Sequence, residues 1–261
     1  MATRRKSKAA PVALVTGGAR RIGREIALAL ARDGWDIGVH YARSAREARA
    51  TVAEVEALGR RAVAINRDLA VERGVRSLVA ECAAELGPVS CLVNNASLFE
   101  HDTASDFGAE ALVRQVRVNT AAPVLLAQAL HAALPDGMRG VVINLLDQKL
   151  WNPNPDFFSY TLSKSALAEA TRLLAMALAP KVRVVGVAPG ITLPSAGQTE
   201  QGFRRAHRRT PLGASSTPQD IAGAVVYLAR AQAVTGTTLL VDGGQHLVPS
   251  SRDIMYLTEA P

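Results

Sequence analysis

Short apolar runs alternate along the chain with longer segments in which apolar residues recur at helical spacing. The runs are apolar on both faces, a pattern typical of strands covered on both sides of a parallel sheet. Seven runs are predicted as strands: Val12 to Thr16, Asp36 to His40, Ala62 to Asn66, Ser90 to Asn94, Gly140 to Leu145, Val182 to Ala188 and Thr238 to Val241. Helical spacing is clearest in two groups, Ile22, Ile26, Ala27 and Leu30, and Ile221, Val225 and Leu228.

This alternation predicts an α/β fold, namely a doubly wound parallel sheet of seven strands with helices on both faces. From Pro11 onward no linker, repeat or low-complexity stretch interrupts the pattern, so residues 11–261 are expected to form a single domain. Right-handed crossovers place the carboxyl ends of all strands at one edge of the sheet, where such folds bind ligands. Functional residues are therefore expected to follow strand ends.

Composition and charge narrow the class of protein. The 261 residues include only two cysteines, too few for a disulfide framework or a four-ligand zinc site, and we expect a reducing, cytoplasmic compartment. The longest uncharged stretch, Val118 to Pro135, contains polar residues and prolines, which argues against a membrane span.

The formal net charge of +7 does not by itself indicate nucleic acid as a partner. Four of the cations lie within residues 1–10, which are expected to form a flexible basic tail. Aromatic residues, which nucleic-acid-binding surfaces interleave with cations, make up only 4% of the chain. Neither nucleic acid nor a membrane is therefore expected as a partner.

A glycine-rich turn follows the first predicted strand and leads directly into an amphipathic helix. It reads Thr16-Gly17-Gly18-Ala19-Arg20-Arg21-Ile22-Gly23. Glycines let the backbone approach a pyrophosphate, which the amides at the helix N-terminus then stabilise. This context predicts a dinucleotide site at Gly17, Arg21, Ile22 and Gly23; the alternative is that the glycines only tighten a turn.

The end of the second predicted strand distinguishes the nicotinamide cofactors. It reads His40-Tyr41-Ala42-Arg43-Ser44, without the carboxylate that would hold the ribose 2′-hydroxyl of NAD. Arg43 offers a planar set of donors to phosphate oxygens, and Ser44 adds a hydroxyl. We therefore predict NADPH as the cofactor, with His40, Tyr41, Arg43 and Ser44 in its site; the alternative is that Arg43 only caps a helix at the surface.

Tyr160 and Lys164 are four residues apart and so lie on one face of a predicted helix. An ammonium group this close would stabilise the phenolate and lower the pKa of Tyr160 from about 10, which would make it a usable proton donor. The pair alone is weak evidence, because most such pairs are surface coincidences.

Together these motifs resemble the short-chain dehydrogenase/reductase family, from Val12 to His246. Its elements occur in order: the Thr16-Gly17 turn, Asp68 after the third strand, Asn94-Asn95-Ala96 after the fourth, Asn119, Tyr160 with Lys164, Pro189-Gly190 and Val241-Asp242-Gly243-Gly244. The resemblance implies a Rossmann fold and a homotetramer. It also implies that the chain is an NADP-dependent oxidoreductase acting on a small molecule.

The resemblance implies roles for further residues. Asp68 would lie at the adenine edge, Asn119 would join a water relay behind Lys164, and Tyr160 would be the acid. The other implied cofactor contacts are Leu69, Asn94, Ala96, Ser97, Lys164, Pro189 and Gly190. From the residues alone, Asp68 is also compatible with a turn and Asn119 with a helix cap.

Two departures from the common pattern resemble the pteridine reductase branch, which includes bacterial dihydromonapterin reductases. Arg21 replaces the middle glycine of the phosphate turn, and Asp147 stands 13 positions before Tyr160, where most members carry a serine. In that branch the aspartate partners the tyrosine, and a phenylalanine stacks on the pterin. The implied substrate contacts are Arg21, Ser97, Phe99, Asp147 and Tyr160; the alternative for Phe99 is a core position under a loop.

A carboxylate at position 147 suits reduction of a C=N bond. Hydride arrives at carbon and a proton must reach nitrogen, and Asp147 can relay that proton through Tyr160. With a carbonyl substrate, an ionised carboxylate would repel the developing oxyanion. We therefore predict an NADPH-dependent reductase of a pterin or folate-like substrate, with Asp147, Tyr160, Lys164 and Asn119 as catalytic residues.

Two other functions stay open from the sequence: a carbonyl or quinone reductase in which Asp147 is incidental, and an NADP-binding sensor without turnover. The family's substrate loop corresponds to Ile191 to Ser216, which is expected to be irregular. Its cations would either meet an anionic group of the substrate or form a solvated face. Arg252 and Tyr256, in the tail after His246, could reach the pocket of a neighbouring subunit.

Overall fold

The computed structural model describes residues 9–195 and 197–258. Within them, seven strands form one sheet in the order β3-β2-β1-β4-β5-β6-β7, and every neighbouring pair is parallel. The strands are β1 Val12–Val15, β2 Asp36–Tyr41, β3 Ala62–Asn66, β4 Val89–Asn94, β5 Gly140–Leu145, β6 Val182–Pro189 and β7 Thr238–Val241. The predicted seven-stranded, doubly wound sheet is confirmed.

Nine helices of the described residues connect these strands or follow the last one. They are α1 Arg21–Arg32, α2 Ala45–Ala57, α3 Glu72–Leu86, α4 Ala109–Val116, α5 Ala122–Ala133, α6 Phe158–Ala177, α7 Glu200–Arg208, α8 Pro218–Arg230 and α9 Ile254–Thr258. A π-helical turn, Arg117–Ala121, joins α4 to α5. None of the helices in the described ranges is both long and apolar enough to cross a bilayer.

The structure corrects the expectation that residues 191–216 are irregular. The stretch from 191 to 216 is not irregular throughout, because it contains α7, whose first turn is capped by the Thr199 hydroxyl accepting from the Gly202 amide. Side chains four apart also pair along this helix, as Arg204 does with Glu200. The predicted basic tail, residues 1–10, lies outside the described residues except for its last two positions.

Apolar cores cover both faces of the sheet because successive side chains of a strand point to opposite sides. In β1, Ala13 and Val15 join the core formed with α1 and α8, whereas Val12 and Leu14 join the core formed with α3 and α5. All four side chains are almost fully buried. The strand order reverses at β1, between β2 and β4, which opens a crevice at the carboxyl ends of these strands.

Gly23 sets how closely α1 approaches the turn that follows β1. A Cβ atom at this position would lie 2.1 Å from the Gly17 carbonyl oxygen and 2.5 Å from the Asn95 side-chain nitrogen. The helix N-terminus can therefore meet the turn only where position 23 has no side chain.

We expect Gly23→Ala to lower the free energy of unfolding by about 1–3 kcal/mol, because the added methyl group must displace backbone. Gly223→Ala is the matched control: Gly223 is an exposed position of α8 with no atom within 4 Å of its Cβ position, so alanine should be neutral or stabilising. Urea denaturation of both variants measures the difference. Equal stabilities would contradict the close approach.

Candidate active site

A cavity of about 860 Å³ runs along the carboxyl ends of the strands on both sides of β1. Most of the residues predicted from the sequence line it: Gly17, Arg21, Ile22, Gly23, His40, Tyr41, Arg43, Ser44, Asp68, Leu69, Ala96, Ser97, Phe99, Asp147, Tyr160, Lys164, Pro189 and Gly190. The topology explains this convergence, because each group follows a different strand of the same parallel sheet.

Asn94, expected in the cofactor pocket, and Asn119, expected in a water relay behind Lys164, are not among the residues that line the cavity. Asn94 is buried, and its side-chain nitrogen donates to Asn144 Oδ1 at 2.8 Å. Asn119, in the π-helical turn, accepts from the Leu98 amide at 2.8 Å and donates to Ser163 Oγ at 3.0 Å. These two side chains join β4 and its following loop to β5 and α6.

The phosphate turn is held by hydrogen bonds to two neighbouring strand ends. The Gly17 amide donates to His40 Nδ1 at 3.1 Å, and His40 Nε2 lies 3.0 Å from the Arg67 carbonyl oxygen. An imidazole that accepts at one nitrogen and donates at the other is neutral. On the other side, the Asn95 side chain donates to the Thr16 carbonyl oxygen at 2.9 Å.

Arg21 occupies a backbone conformation that favours glycine. Its φ is +54°, in the left-handed region that side chains other than glycine rarely adopt. Its guanidinium group extends across the cavity edge and donates to the Pro194 carbonyl oxygen at 3.0 Å. The residue that replaces the family glycine thereby links the phosphate turn to the segment after β6.

The residues along the cavity fit a dinucleotide that carries a 2′-phosphate. The volume of the cavity lies in the range of cofactor sites, roughly 300–1,000 Å³. At the end of β2 the cavity is lined by Arg20, Arg43 and Ser44, and none of the residues 42–44, directly after the strand, carries a carboxylate. Asp68, farther along the same edge, accepts from the Ala70 amide at 2.9 Å and so also forms a turn. Cations and a hydroxyl are the groups that would hold a phosphate there.

The catalytic candidates form a buried hydrogen-bonded group at the inner end of the cavity. The Tyr160 hydroxyl donates to Asp147 Oδ2 at 2.9 Å, and the Lys149 amide donates to Asp147 Oδ1 at 2.9 Å. Lys164 is 3% exposed, and its Nζ donates to the Leu145 carbonyl oxygen at 2.7 Å. The start of α6 thus brings a phenol and an ammonium against the carboxylate that follows β5.

The expected effect of Lys164 on Tyr160 is wrong in this structure. Burial, followed by the charge of Asp147, raises the pKa of Tyr160 well above 10, whereas the Lys164 Nζ lies 5.7 Å from the tyrosine ring centroid. Burial also raises the pKa of Asp147 and lowers the pKa of Lys164 to about 8. Tyr160 is therefore a neutral hydroxyl group whose proton is directed at a carboxylate.

Phe99 forms an aromatic wall beside this group. Its ring stacks on Phe157 with centroids 4.2 Å apart and meets the edge of Tyr160 at 4.7 Å. The side chain is 46% exposed, so Phe99 is not a core residue under a loop. Its exposed ring lines the same cavity as Tyr160 and Asp147.

Sequence analysis assigned no site residue to the segment 249–258, which we call the C-terminal strap. Its residues Asp253, Ile254 and Met255 line the cavity. Arg252 and Tyr256, which could have reached another subunit, contact Asp156 and Phe157 of the same chain. The strap carries no motif, so spacing alone could not predict that it lines the cavity.

The basic patch of α7 does not belong to the cavity. None of its cations, Arg204, Arg205, His207, Arg208 and Arg209, lines the cavity in the described part of the chain. Arg205 donates to the Thr258 carbonyl oxygen at 2.7 Å and so helps to hold the end of the strap. This contact explains one of the cations without an anionic substrate.

Comparisons with known proteins bear on the family and on the cofactor. The sequence profile described as short chain dehydrogenase matches residues 11–203. L-rhamnose 1-dehydrogenase (NAD(P)(+)) from a Sphingomonas species is 32% identical over 244 residues, covering 90% of this chain and 95% of that protein.

Two solved structures are similar over most of their length. The FolM alternative dihydrofolate reductase 1 from Brucella canis, complexed with NADP, is 41% identical with a TM-score of 0.88, covering 94% of this chain and 97% of that one. A short chain dehydrogenase from Burkholderia cenocepacia in complex with NADP is 34% identical with a TM-score of 0.83, covering 90% and 98%.

The neutral imidazole of His40 predicts a dependence of stability on pH. Burial lowers the pKa of His40 from its ordinary value of 6.5. As the pH falls below about 6.5, the unfolded chain takes up a proton that the folded ring resists, so the free energy of unfolding should decrease. His40→Gln can accept and donate hydrogen bonds at similar positions but does not titrate. In this variant the decrease in the free energy of unfolding at low pH should be smaller.

Urea denaturation of both proteins between about pH 5 and 8 measures the effect. The other four histidines are common to both proteins and cancel in the comparison. Identical pH profiles would show that His40 is not held neutral by the phosphate turn.

Proposed function

The chain belongs to the short-chain dehydrogenase family of nicotinamide-dependent oxidoreductases, and on that premise we propose that it is an NADPH-dependent reductase of a pterin-type C=N bond. Its substrate would be a dihydropterin, a dihydromonapterin or a dihydrofolate. The observation that carries the proposal is the carboxylate of Asp147, which accepts the Tyr160 hydroxyl at 2.9 Å where most members of the family have a serine.

The residues after β2 and the NADP-bound structures of similar proteins both support NADPH as the cofactor. The end of β2 offers Arg43 and Ser44 to a 2′-phosphate and no carboxylate to a 2′-hydroxyl. The similar reductase from Brucella canis and the dehydrogenase from Burkholderia cenocepacia are both complexed with NADP. The nucleotide would lie between the phosphate turn and Lys164, where the cavity is lined by Gly17, Ile22 and Pro189.

The chain's own residues supply and replace the proton of the reaction. Bound NADPH would provide the hydride that reaches the carbon of the C=N bond. Tyr160 donates its hydroxyl proton to the nitrogen, and the resulting phenolate takes a proton from the Asp147 carboxyl group. Asp147, which lines the cavity, then regains a proton from solvent water before the next turnover. Burial favours the protonated form of that carboxyl, because it raises the pKa of Asp147.

The shape of the cavity supports a flat heterocyclic substrate. Phe99 is half-exposed and lines the same cavity as Tyr160, so its ring offers a planar heterocycle a surface on which to stack. Arg21 and Ser97, also predicted as substrate contacts, line the same cavity. An open-chain substrate would leave this flat aromatic surface in contact with water.

A carbonyl reductase or dehydrogenase is the second candidate. It is favoured by one observation, the 32% identity to L-rhamnose 1-dehydrogenase, whose substrate is a sugar. A sensor that binds NADP without turnover is disfavoured, since binding alone does not require a buried phenol paired with a carboxylate and a lysine. The two catalytic candidates differ in whether Asp147 is required.

Assembly and compartment remain predictions from the sequence. A homotetramer follows from the family resemblance, and a cytoplasmic location from the small number of cysteines. In the structure Cys82 and Cys91 are both free and buried, and burial raises the pKa of each thiol to about 12. Neither thiol is therefore suited to redox exchange in this fold.

We expect Asp147→Ala to lower kcat/KM for dihydropterins at least about 100-fold, because the proton relay is lost. NADPH affinity, measured by fluorescence titration, should stay within about threefold of wild type, since Asp147 lies at the substrate end of the cavity. Asp136→Ala, an exposed carboxylate after α5, is the control and should have no effect. Wild-type turnover by Asp147→Ala would exclude the relay.

Asp147→Ser distinguishes the two catalytic candidates. A hydroxyl at this position should abolish pterin turnover if C=N reduction is the activity, and should improve turnover of ketones or quinones if carbonyl reduction is. NADPH oxidation with dihydrobiopterin, dihydrofolate and a quinone measures both outcomes. Improved carbonyl turnover together with unchanged pterin turnover would contradict the proposed function.

A further inference from the structure

The C-terminal strap lines the substrate end of the cavity with Asp253, Ile254 and Met255. Met255 is buried with Phe157 and Tyr160 in one apolar cluster, and Tyr256 stacks on Phe157 with centroids 6.2 Å apart. Because Phe157 directly precedes the helix that carries Tyr160, the strap packs on the same residues that position the catalytic phenol.

Asp156 is the anchor of the strap. Its carboxylate is 2% exposed and accepts from Arg252 Nε at 3.0 and 2.8 Å and from the Asp253 amide at 2.7 Å. A buried carboxylate with three such bonds is well compensated. The backbone at Asp253 is therefore held in place by an element other than the strap itself.

The Asp253 side chain has unused acceptor capacity. Its Oδ1 accepts one long bond from the Met255 amide, at 3.2 Å, and its Oδ2 lies 3.7 Å from Lys149 Nζ. Lys149 is itself buried and also donates to the Asp156 carbonyl oxygen. An ionised carboxylate has about four acceptor positions, and this side chain remains 22% exposed. Asp253 can thus accept further donors from a ligand.

Two carboxylates, Asp147 and Asp253, therefore line one cavity whose nearby walls are Phe99 and Met255. Carboxylates next to a flat apolar surface suit a planar heterocycle with several N–H groups at its edge. A ketone or quinone has no N–H donors, and its binding would leave acceptors desolvated without partners. The arrangement thus selects for donors on the substrate.

We propose that Asp253 is a specificity-determining residue that accepts hydrogen bonds from ring N–H or amino groups of the substrate. The inference rests on the proposed function and deepens it by naming the substrate feature that is recognised. Asp147 partners the phenol for proton transfer, whereas Asp253 binds and selects.

The first test uses a ligand that cannot be reduced, so that binding is measured without turnover. 2,4-Diaminopyrimidine is titrated into the NADP-bound protein by calorimetry. Asp253→Asn should weaken its binding about 10-fold or more, because a charge-assisted hydrogen bond is lost. Asp253→Glu keeps the charge and should retain binding within about threefold. Absence of binding to the wild type, or equal binding to Asp253→Asn, would overturn the proposal.

The second test separates recognition from a structural role of the strap. With dihydrobiopterin, Asp253→Asn should raise KM about 10-fold and leave kcat within about threefold, and with a quinone it should change neither. Arg252→Gln weakens the anchor but keeps both cavity carboxylates. It should change KM and kcat by similar factors for dihydrobiopterin and for the quinone. If Asp253→Asn also changes the constants for both substrates by similar factors, the role of Asp253 is structural.

Failure of this inference can be told apart from failure of the proposed function. If the wild type oxidises NADPH with quinones or ketones but not with any dihydropterin, the proposed function is wrong, and the calorimetric comparison still decides the role of Asp253. If dihydropterins are reduced but Asp253→Asn leaves their KM unchanged, only the role of Asp253 is wrong. NADPH titration of each variant verifies that its cofactor site is folded.

Discussion

The hydrogen bond between Tyr160 and Asp147 is the interaction on which the proposed chemistry of this protein depends. It places two weak acids side by side where burial disfavours the charge of either one, and it directs the phenol proton at the carboxylate. Other elements maintain the arrangement: the Lys149 amide holds the second carboxylate oxygen, and Lys164 is fixed on the Leu145 carbonyl oxygen. These supports keep the phenol and the carboxylate in hydrogen-bond geometry, which the proposed proton transfer requires.

The loop before α6 connects the catalytic group to the substrate end of the cavity. Phe157, at the N-cap of that helix, has a φ of +55°, a left-handed conformation that costs free energy in a residue other than glycine. Its neighbour Asp156 binds the C-terminal strap, and its own ring stacks on Phe99 and Tyr256. One short loop therefore sets the position of the phenol, of the aromatic wall and of the strap.

Much of the fold and of the cofactor site could be predicted from local patterns. Each strand lies within one residue of its predicted bounds, because runs apolar on both faces have few alternatives in a chain of this composition. The phosphate turn, the end of β2 and the Tyr160–Lys164 pair each involve residues close together in sequence, and all three line the cavity as expected. The pKa of Tyr160 was not predictable, because burial and Asp147 outweigh the nearby lysine.

The sequence by itself determined the alternation of strands and helices, the edge of the sheet where ligands bind, and the replacement of a serine by Asp147. Only the tertiary structure decided that Asn94 and Asn119 serve the framework, that Phe99 is exposed, and that a strap about 100 residues after Asp156 brings Asp253 into the cavity. The physical reason is that periodicity and short motifs report local backbone geometry, whereas burial and long-range ion pairs exist only once distant segments pack together.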